Sequence, residues 1–443
     1  SSLTLGSTPY LIAGPNIYWL GLDENDPPGS ITYPSRQRVL EVLATAYAMG
    51  ANTVRSTTLG VSVGCELCVW PQLGVINGQA LEVVDFAVWA ARLYGVRLVI
   101  PLVDQYEYYH GGIFSFLQFH NLSTDDHSPF YDTTSDVYTS FLAYVTTIMN
   151  HTNPYTGLRL SQDPTILAWE SGNELGGWGG SGAPAQWTAA LAGFVKGDLA
   201  AQQLFVDGSY GVVRDALAIP EVDIYSDHFY PPYVSKLNSD ARTVAAAGKV
   251  FLAGEFDWVS HGSSPRMWAL VAAPALLALA VLVLPRRWFP WPIAYGCLCR
   301  RKIASPPAGA EEPADESAPS TSTSAALPSP RKRRKPPAAL IRAPYTFYFQ
   351  KWHFSLLIFL LLTPAGALLL HFLLPSTISA FTSSLTTTPG VAGGLYWSLF
   401  GHDDTCQSYV YHDDGYWLVY PGQGAFMAYR VGQLVQWERG VSG

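Results

Sequence analysis

Two glutamates are placed where they could work as a pair. Glu174 lies in AWESGNEL and Glu255 in FLAGEFDW, each read at the end of a short β-rich run. Two carboxyl groups about 5–5.5 Å apart can carry out double displacement at an anomeric carbon. One begins protonated and gives its proton to the leaving oxygen, while the other begins ionised and attacks carbon. The charge on Glu255 is expected to raise the pKa of Glu174. Further polar side chains end neighbouring runs: Arg55, Asp104, Asn173, His228, Tyr230 and Trp397. Surface strands would not end in such residues repeatedly. Glu170, inside its run, reads as a structural carboxylate, and Asp257 reads as lying past the tip of its own. Asp104, Glu107 and His110 are close in sequence, but on a loop their spacing is a poor match to a metal site.

These side chains need a frame that brings distant segments to one place. Eight β-rich runs are visible: 11–20, 51–56, 97–103, 166–170, 204–208, 224–228, 250–255 and 394–400. Helical stretches at 34–49, 79–94, 136–150 and 184–200 lie between several of them. This alternation predicts an α/β fold, a (β/α)8 barrel, whose functional groups sit at the C-terminal strand ends. The eighth run follows a long interruption, so the barrel is expected to be split in sequence. Its first seven strands occupy 1–263, an insertion occupies 264–374, and the last helix–strand unit with the C-terminal segment occupies 375–443. STISAFTSSLTT is the candidate for the helix that resumes the barrel.

Five segments, in order, resemble glycoside hydrolase family 5, and its mannanases in particular. AWESGNEL resembles the W-E-x-x-N-E segment and GEF the nucleophile strand. VRSTT resembles the second-strand segment that supplies an arginine, DHFYP the H-x-Y segment of strand six, and YWSLFGH the strand-eight segment with its tryptophan. The resemblance covers the chain outside the insertion. It implies retaining hydrolysis of β-mannan or a related cell-wall β-glycan. The alternatives are a non-catalytic sugar-binding barrel, a β-glucanase or a transglycosidase. By position, Glu174 would be the acid/base and Glu255 the nucleophile. Asn173 would bond the sugar 2-hydroxyl, and Arg55 and Tyr230 would hold Glu255. His228 would line the cleft near Glu174, and Trp397 would floor the sugar at the cleavage point. The third-strand segment reads VDQYEYYHGG where mannanases carry an N-N-W run, so Asp104, Gln105 and Tyr106 occupy substrate-binding positions. The family implies no cofactor and no metal, and the partner expected is a polysaccharide or oligosaccharide.

Charge and hydropathy mark the insertion. The chain carries a formal charge of −8, which gives no reason to expect nucleic-acid binding. Residues 285–352 hold twelve Lys and Arg against four Asp and Glu, so this stretch is basic and the remainder strongly acidic. On either side lie uncharged apolar spans at 267–284 and 354–374, near the roughly 20 residues that a bilayer core requires. Between them, a Pro-, Ser- and Ala-rich stretch with RKRRK is expected to be a disordered cytoplasmic loop under the positive-inside rule. Two transmembrane helices would then anchor an extracellular barrel. Without the insertion the barrel would be secreted and soluble. Asn121-Leu-Ser and Asn150-His-Thr are glycosylation sequons that fit such a setting. The opening SSLTLGSTPYLIAG reads like a mature N-terminus. A disulfide involving Cys65, Cys68 or Cys406 is expected, and Cys297 and Cys299 stand in a setting that permits palmitoylation.

Overall fold

The computed structural model describes residues 2–258, 377–405, 408–410 and 425–442. They belong to one unit formed by Ser1–Gly262 with Pro375–Gly443. Eight strands form its centre: β1 Ile12–Pro15, β2 Thr53–Arg55, β3 Arg97–Pro101, β4 Ile166–Glu170, β5 Leu204–Asp207, β6 Ile224–Phe229, β7 Val250–Asp257 and β8 Val391–Trp397. The order in the sheet is β1-β8-β7-β6-β5-β4-β3-β2, and the neighbours pair in parallel. Asn52 N donates to Ala13 O at 3.0 Å and Ile17 N to Arg55 O at 2.9 Å, which joins β2 back to β1. The sheet is therefore closed, a (β/α)8 barrel with no free edge.

Apolar residues explain why each strand forms. Ile12, Val99, Ala168, Val206, Ile224, Val250, Leu252, Ala392 and Leu395 pack together in one buried cluster to which seven of the strands contribute. A second, larger core includes residues of the helices outside. Those helices are α1 Arg36–Met49, α2 Gly78–Leu93, α3 Asp136–Asn150, α4 Ala185–Gly193, α5 Val234–Ala246, α6 Thr377–Thr387 and α7 Ala425–Ser442. Local chemistry sets their ends. Ser35, Asn77 and Ser135 accept backbone N–H bonds at the starts of α1, α2 and α3, and Gly50 ends α1 at φ 117°.

The observed elements differ from the expected ones in several places. After β5 there is a short 3-10 turn, Arg214–Ala218, in place of a full helix. The stretch expected as one helix over 184–200 is α-helical only to Gly193 and then widens into a π-turn, Phe194–Asp198. β8 starts three residues before its expected position. Gly393 at φ 122° is required there, since a Cβ would meet Ile12 O at 1.9 Å. β7 runs on to Asp257, paired with Trp397, so Asp257 is in the strand and not past its tip.

Cys65 and Cys68 form a disulfide with each other. The spans at 267–284 and 354–374, the basic loop between them, Cys297, Cys299 and Cys406 lie outside the described residues. Among the described residues, no helix is long and apolar enough to cross a membrane.

Candidate active site

The strand ends meet around one cavity of about 710 Å³. Glu174, Glu255, Asn173, His228, Tyr230, Trp397, Asp104 and Tyr106 all line it. Arg55 lies fully buried, in contact with two of them, Glu255 and Asn173.

Arg55 organises the floor. Its Nε donates to Glu170 Oε2 at 2.6 Å and its Nη2 to Glu170 Oε1 at 3.3 Å and Asn173 Oδ1 at 2.8 Å. Its Nη1 donates to Glu255 Oε1 at 2.8 Å and Asn16 Oδ1 at 3.1 Å. All five guanidinium donors are thus used, which a lysine could not reproduce. Burial by itself would favour loss of the proton, but the charges of Glu170 and Glu255 outweigh it and hold Arg55 cationic.

Glu255 lies inside β7, two residues before its end, and its second oxygen accepts from Tyr230 Oη at 2.7 Å. Burial pushes its carboxyl up. The charges of His228 and Arg55 and the Tyr230 bond counter this, while the charge of Glu174 adds to it. Its neighbour Gly254 has a specific role. The β6–β7 register slips between Asp227 and His228, so that Asp227 pairs with Ala253 and His228 with Glu255. Gly254 is the extra residue, and a Cβ there would meet Ser226 Oγ at 2.3 Å and His228 Nε2 at 3.1 Å. The glycine of GEF leaves room for the His228 ring.

Glu174 is not on the strand tip that the sequence suggested, since β4 ends at Glu170. The chain continues through single bridges, Asp104 with Asn173 and Leu175 with Ser209, and places Glu174 at φ 50°. A non-glycine residue in the left-handed region carries backbone strain, which here accompanies a pocket position. Glu174 Oε1 lies 2.6 Å from His228 Nδ1, and Tyr106 hydrogen-bonds the same carboxylate. Burial pushes Glu174 up, but His228, Tyr106 and Arg55 more than offset this and hold it below the ordinary value. His228 moves the other way. Burial would lower it, yet Glu255 and Glu174 raise it. The expected upward shift of Glu174 by Glu255 is therefore overturned, because His228, expected only to line the cleft near Glu174, lies 2.6 Å from Glu174 and 3.5 Å from Glu255.

One carboxylate oxygen of Glu174, one of Glu255 and a ring nitrogen of His228 lie within 4.8 Å of one another. That spacing fits a retaining pair and is shorter than the roughly 6.5–9.5 Å of an inverting one. The same three groups could in principle hold a cation, but the Arg55 guanidinium in contact with Glu255 opposes a second positive charge.

Asp104 is buried and accepts from Tyr106 N at 2.9 Å, His110 Nε2 at 3.1 Å and Asn173 Nδ2 at 3.3 Å. It fixes the Asn173 amide from the side opposite Arg55. Gln105 is turned to the loop after β4, accepting from Gly176 N at 2.8 Å and Tyr131 Oη at 2.8 Å. Trp397 is half-buried and stacks on Tyr18, with centroids 5.1 Å apart and planes 5° from parallel. Sequence reasoning missed Tyr18, Asn16 and Trp178. Tyr18 and Asn16 sat in a run read wholly as strand, and Trp178 in a glycine-rich stretch read as loop.

Comparison with known proteins agrees with this geometry. The family described as GH family 5 beta-mannosidase-like matches residues 1–220. A putative mannan endo-1,4-beta-mannosidase 5 of Oryza sativa subsp. japonica is 31% identical over 38% of this chain and 33% of its own length. A putative mannan endo-1,4-beta-mannosidase 9 of the same plant is 28% identical over 59% of this chain and 70% of its own length. A mannan endo-1,4-beta-mannosidase 5 of Solanum lycopersicum is 26% identical over 54% of this chain and 62% of its own length. The chain thus spans from a third to some two thirds of the length of these relatives. The fold is shared with a glycoside hydrolase family 5 mannosidase from Rhizomucor miehei, at TM-score 0.58 and 14% identity, covering 99% of this chain and 96% of that one. It is shared as well with an endo-1,4-beta-D-mannanase from Thermotoga petrophila RKU-1, at TM-score 0.56 and 16% identity, covering 96% and 99%. In its sequence over residues 1–220 and in its motif segments the chain is similar to the GH family 5 beta-mannosidase-like proteins, and it shares the barrel fold of the solved family 5 structures.

Proposed function

We propose that the chain is a retaining β-glycoside hydrolase that cleaves β-mannan by double displacement, with Glu174 as acid/base and Glu255 as nucleophile. The observation that carries this is the pair of carboxylates within 4.8 Å, each with a different set of partners. Glu255 accepts from a cationic arginine and a phenol, which suits an ionised nucleophile. Glu174 shares a proton with His228 across 2.6 Å, which suits a group that must give a proton and take it back.

In the first step a Glu255 oxygen forms a bond to the anomeric carbon. The bond from that carbon to the leaving oxygen breaks, and the leaving oxygen takes the proton from Glu174, which is left ionised. In the second step Glu174, now ionised, takes a proton from water. The water oxygen bonds to the anomeric carbon and Glu255 departs as a carboxylate. Asn173, held between Arg55 and Asp104, offers its amide to the 2-hydroxyl, and Trp397 floors the sugar. The mannan assignment is supported by the plant relatives' names and by the fold neighbours. Sugar release from β-mannan, β-1,4-glucan and β-1,3-glucan, with wild type and Glu255→Ala, tests it. Release from mannan that vanishes in the variant is expected. A folded wild type that releases nothing would leave a sugar-binding barrel as the better reading.

The place of action is part of the proposal. The apolar spans and the RKRRK run favour an extracellular barrel tethered by the insertion at 264–374. The intact chain is expected to stay in the membrane pellet after an alkaline carbonate wash, and its release by the wash would favour a secreted soluble enzyme.

A further inference from the structure

A carboxylate can only accept hydrogen bonds, so a buried one must be met by donors. Asp104, 1% exposed, is met by Tyr106 N at 2.9 Å, His110 Nε2 at 3.1 Å and Asn173 Nδ2 at 3.3 Å. This arrangement permits the Asn173 amide one orientation. Arg55 Nη2 can only donate and holds Oδ1 at 2.8 Å, whereas Asp104 can only accept and holds Nδ2. One N–H of Nδ2 serves Asp104, and the second is left for a ligand in the cavity that Asn173 lines.

His110 is the side chain that holds Asp104 in this posture. It lies on the loop after β3 and is 4% exposed, and its Nδ1 has no partner among the described residues. The bond to Asp104 is thus the polar contact its ring makes there. The ring is set against Tyr108 and Tyr109, with centroids 5.7 and 4.9 Å away. The loop after β2 fixes its backbone. His110 O accepts from Val63 N at 3.1 Å and lies 3.7 Å from Cys68 Sγ of the disulfide with Cys65. Gly111, at φ 83°, lets the two loops touch, since a Cβ there would meet Val63 O at 1.8 Å. Burying an imidazole with an unpartnered nitrogen costs free energy that an apolar ring would avoid. Packing by itself therefore does not call for a histidine here, whereas the bond to Asp104 does.

We infer that His110 is a positioning residue, which acts through Asp104 to hold the Asn173 amide with an N–H toward the sugar 2-hydroxyl. This rests on the glycosidase reading above. His110→Phe keeps a ring beside Tyr108 and Tyr109 but removes the N–H, whereas His110→Gln keeps a donor. The test compares the full-length wild type, these two variants, Asn173→Ala, and Asn173→Ala combined with His110→Phe, on the β-glycan the enzyme cleaves, β-mannan by the reading above. His110→Phe should lose about tenfold in kcat/KM, with the loss in kcat, because the 2-hydroxyl bond strengthens in the transition state. His110→Gln should recover most of that loss. In the Asn173→Ala background the same His110→Phe change should cost less than about twofold, since the group it positions is gone. If His110→Phe does not fold, His110→Leu takes its place in the cycle. Equal loss in both backgrounds, or loss in neither, overturns the positioning role while the glycosidase reading stands. A folded wild type that cleaves no β-glycan overturns the glycosidase reading and this inference with it.

Discussion

Arg55 bonds five acceptor oxygens on four residues, Asn16, Glu170, Asn173 and Glu255, from three stretches of chain, and the charge states above it depend on that position. Replacing it with lysine leaves at least two acceptors unserved in a buried setting, where breaking an ion pair costs about 3–5 kcal/mol. Arg55→Lys is expected to lower kcat by about a hundredfold or more and to move the acid limb of the pH profile upward, as measured by kcat against pH on mannan. The sign follows from Glu255, which must be ionised and is already raised by burial. Tyr230→Phe removes one lowering bond and should shift the same limb upward by a smaller amount. The alkaline limb belongs to His228 and Glu174. His228 is raised above its ordinary value, so the pair keeps its proton to higher pH and activity falls only as pH rises through that value. His228→Asn should move the alkaline limb to lower pH. An unmoved limb would show that the proton is not held by this pair.

At the scale of the strand, two features of the barrel can be read as stability. Asp207 ends β5, fully buried, with Oδ1 bonded to Ser209 and Oδ2 without a partner among the described residues. Burial raises its pKa to about 6, against the ordinary carboxylate range. The folded chain therefore binds a proton more tightly there than the unfolded chain does. Stability from this group is present below the unfolded pKa and lost as pH rises through about 6. Asp207→Asn should stabilise the fold at pH 7.5 but not at pH 3.5, by on the order of 1–3 kcal/mol, read as a higher Tm at the higher pH only. Gly393 is the second feature. Its φ of 122° and the 1.9 Å approach of Ile12 O to a Cβ leave no relaxed alanine conformation. Gly393→Ala should cost about 3 kcal/mol in urea unfolding by prising β8 from β1.

The whole barrel depends on residues from both sides of the interruption. β8 and α6 come after residue 376, yet β8 pairs with β7 on one side and β1 on the other, and it brings Trp397 to the pocket. A chain cut at 262 would leave two long parallel edges unpaired in a barrel that otherwise has none. Such a fragment is expected to aggregate or lack native near-ultraviolet circular dichroism, whereas the full chain keeps both. A soluble, native-like fragment would show that seven strands suffice.

Much of this protein was legible along the chain. The eight strand runs follow from local apolar patterning, and Glu174, Glu255, Arg55, His228 and Tyr230 follow from short segments whose order resembles a known barrel. The interruption expected at 264–374 was read from an abrupt shift in composition and lies outside the described residues. What only the tertiary structure decided is which groups share a proton. His228 and Glu174 are 54 residues apart in sequence and 2.6 Å apart in space, and their contact reverses the shift expected for Glu174. The stacking of Tyr18 on Trp397, the clamp of Asp104 on Asn173 and the pinning of the Trp178 loop by Tyr106 and Gln105 are of the same kind. A sequence specifies side-chain type and local backbone preference, whereas pKa, hydrogen-bond partner and exposure depend on neighbours that closure of the barrel brings within a few ångströms.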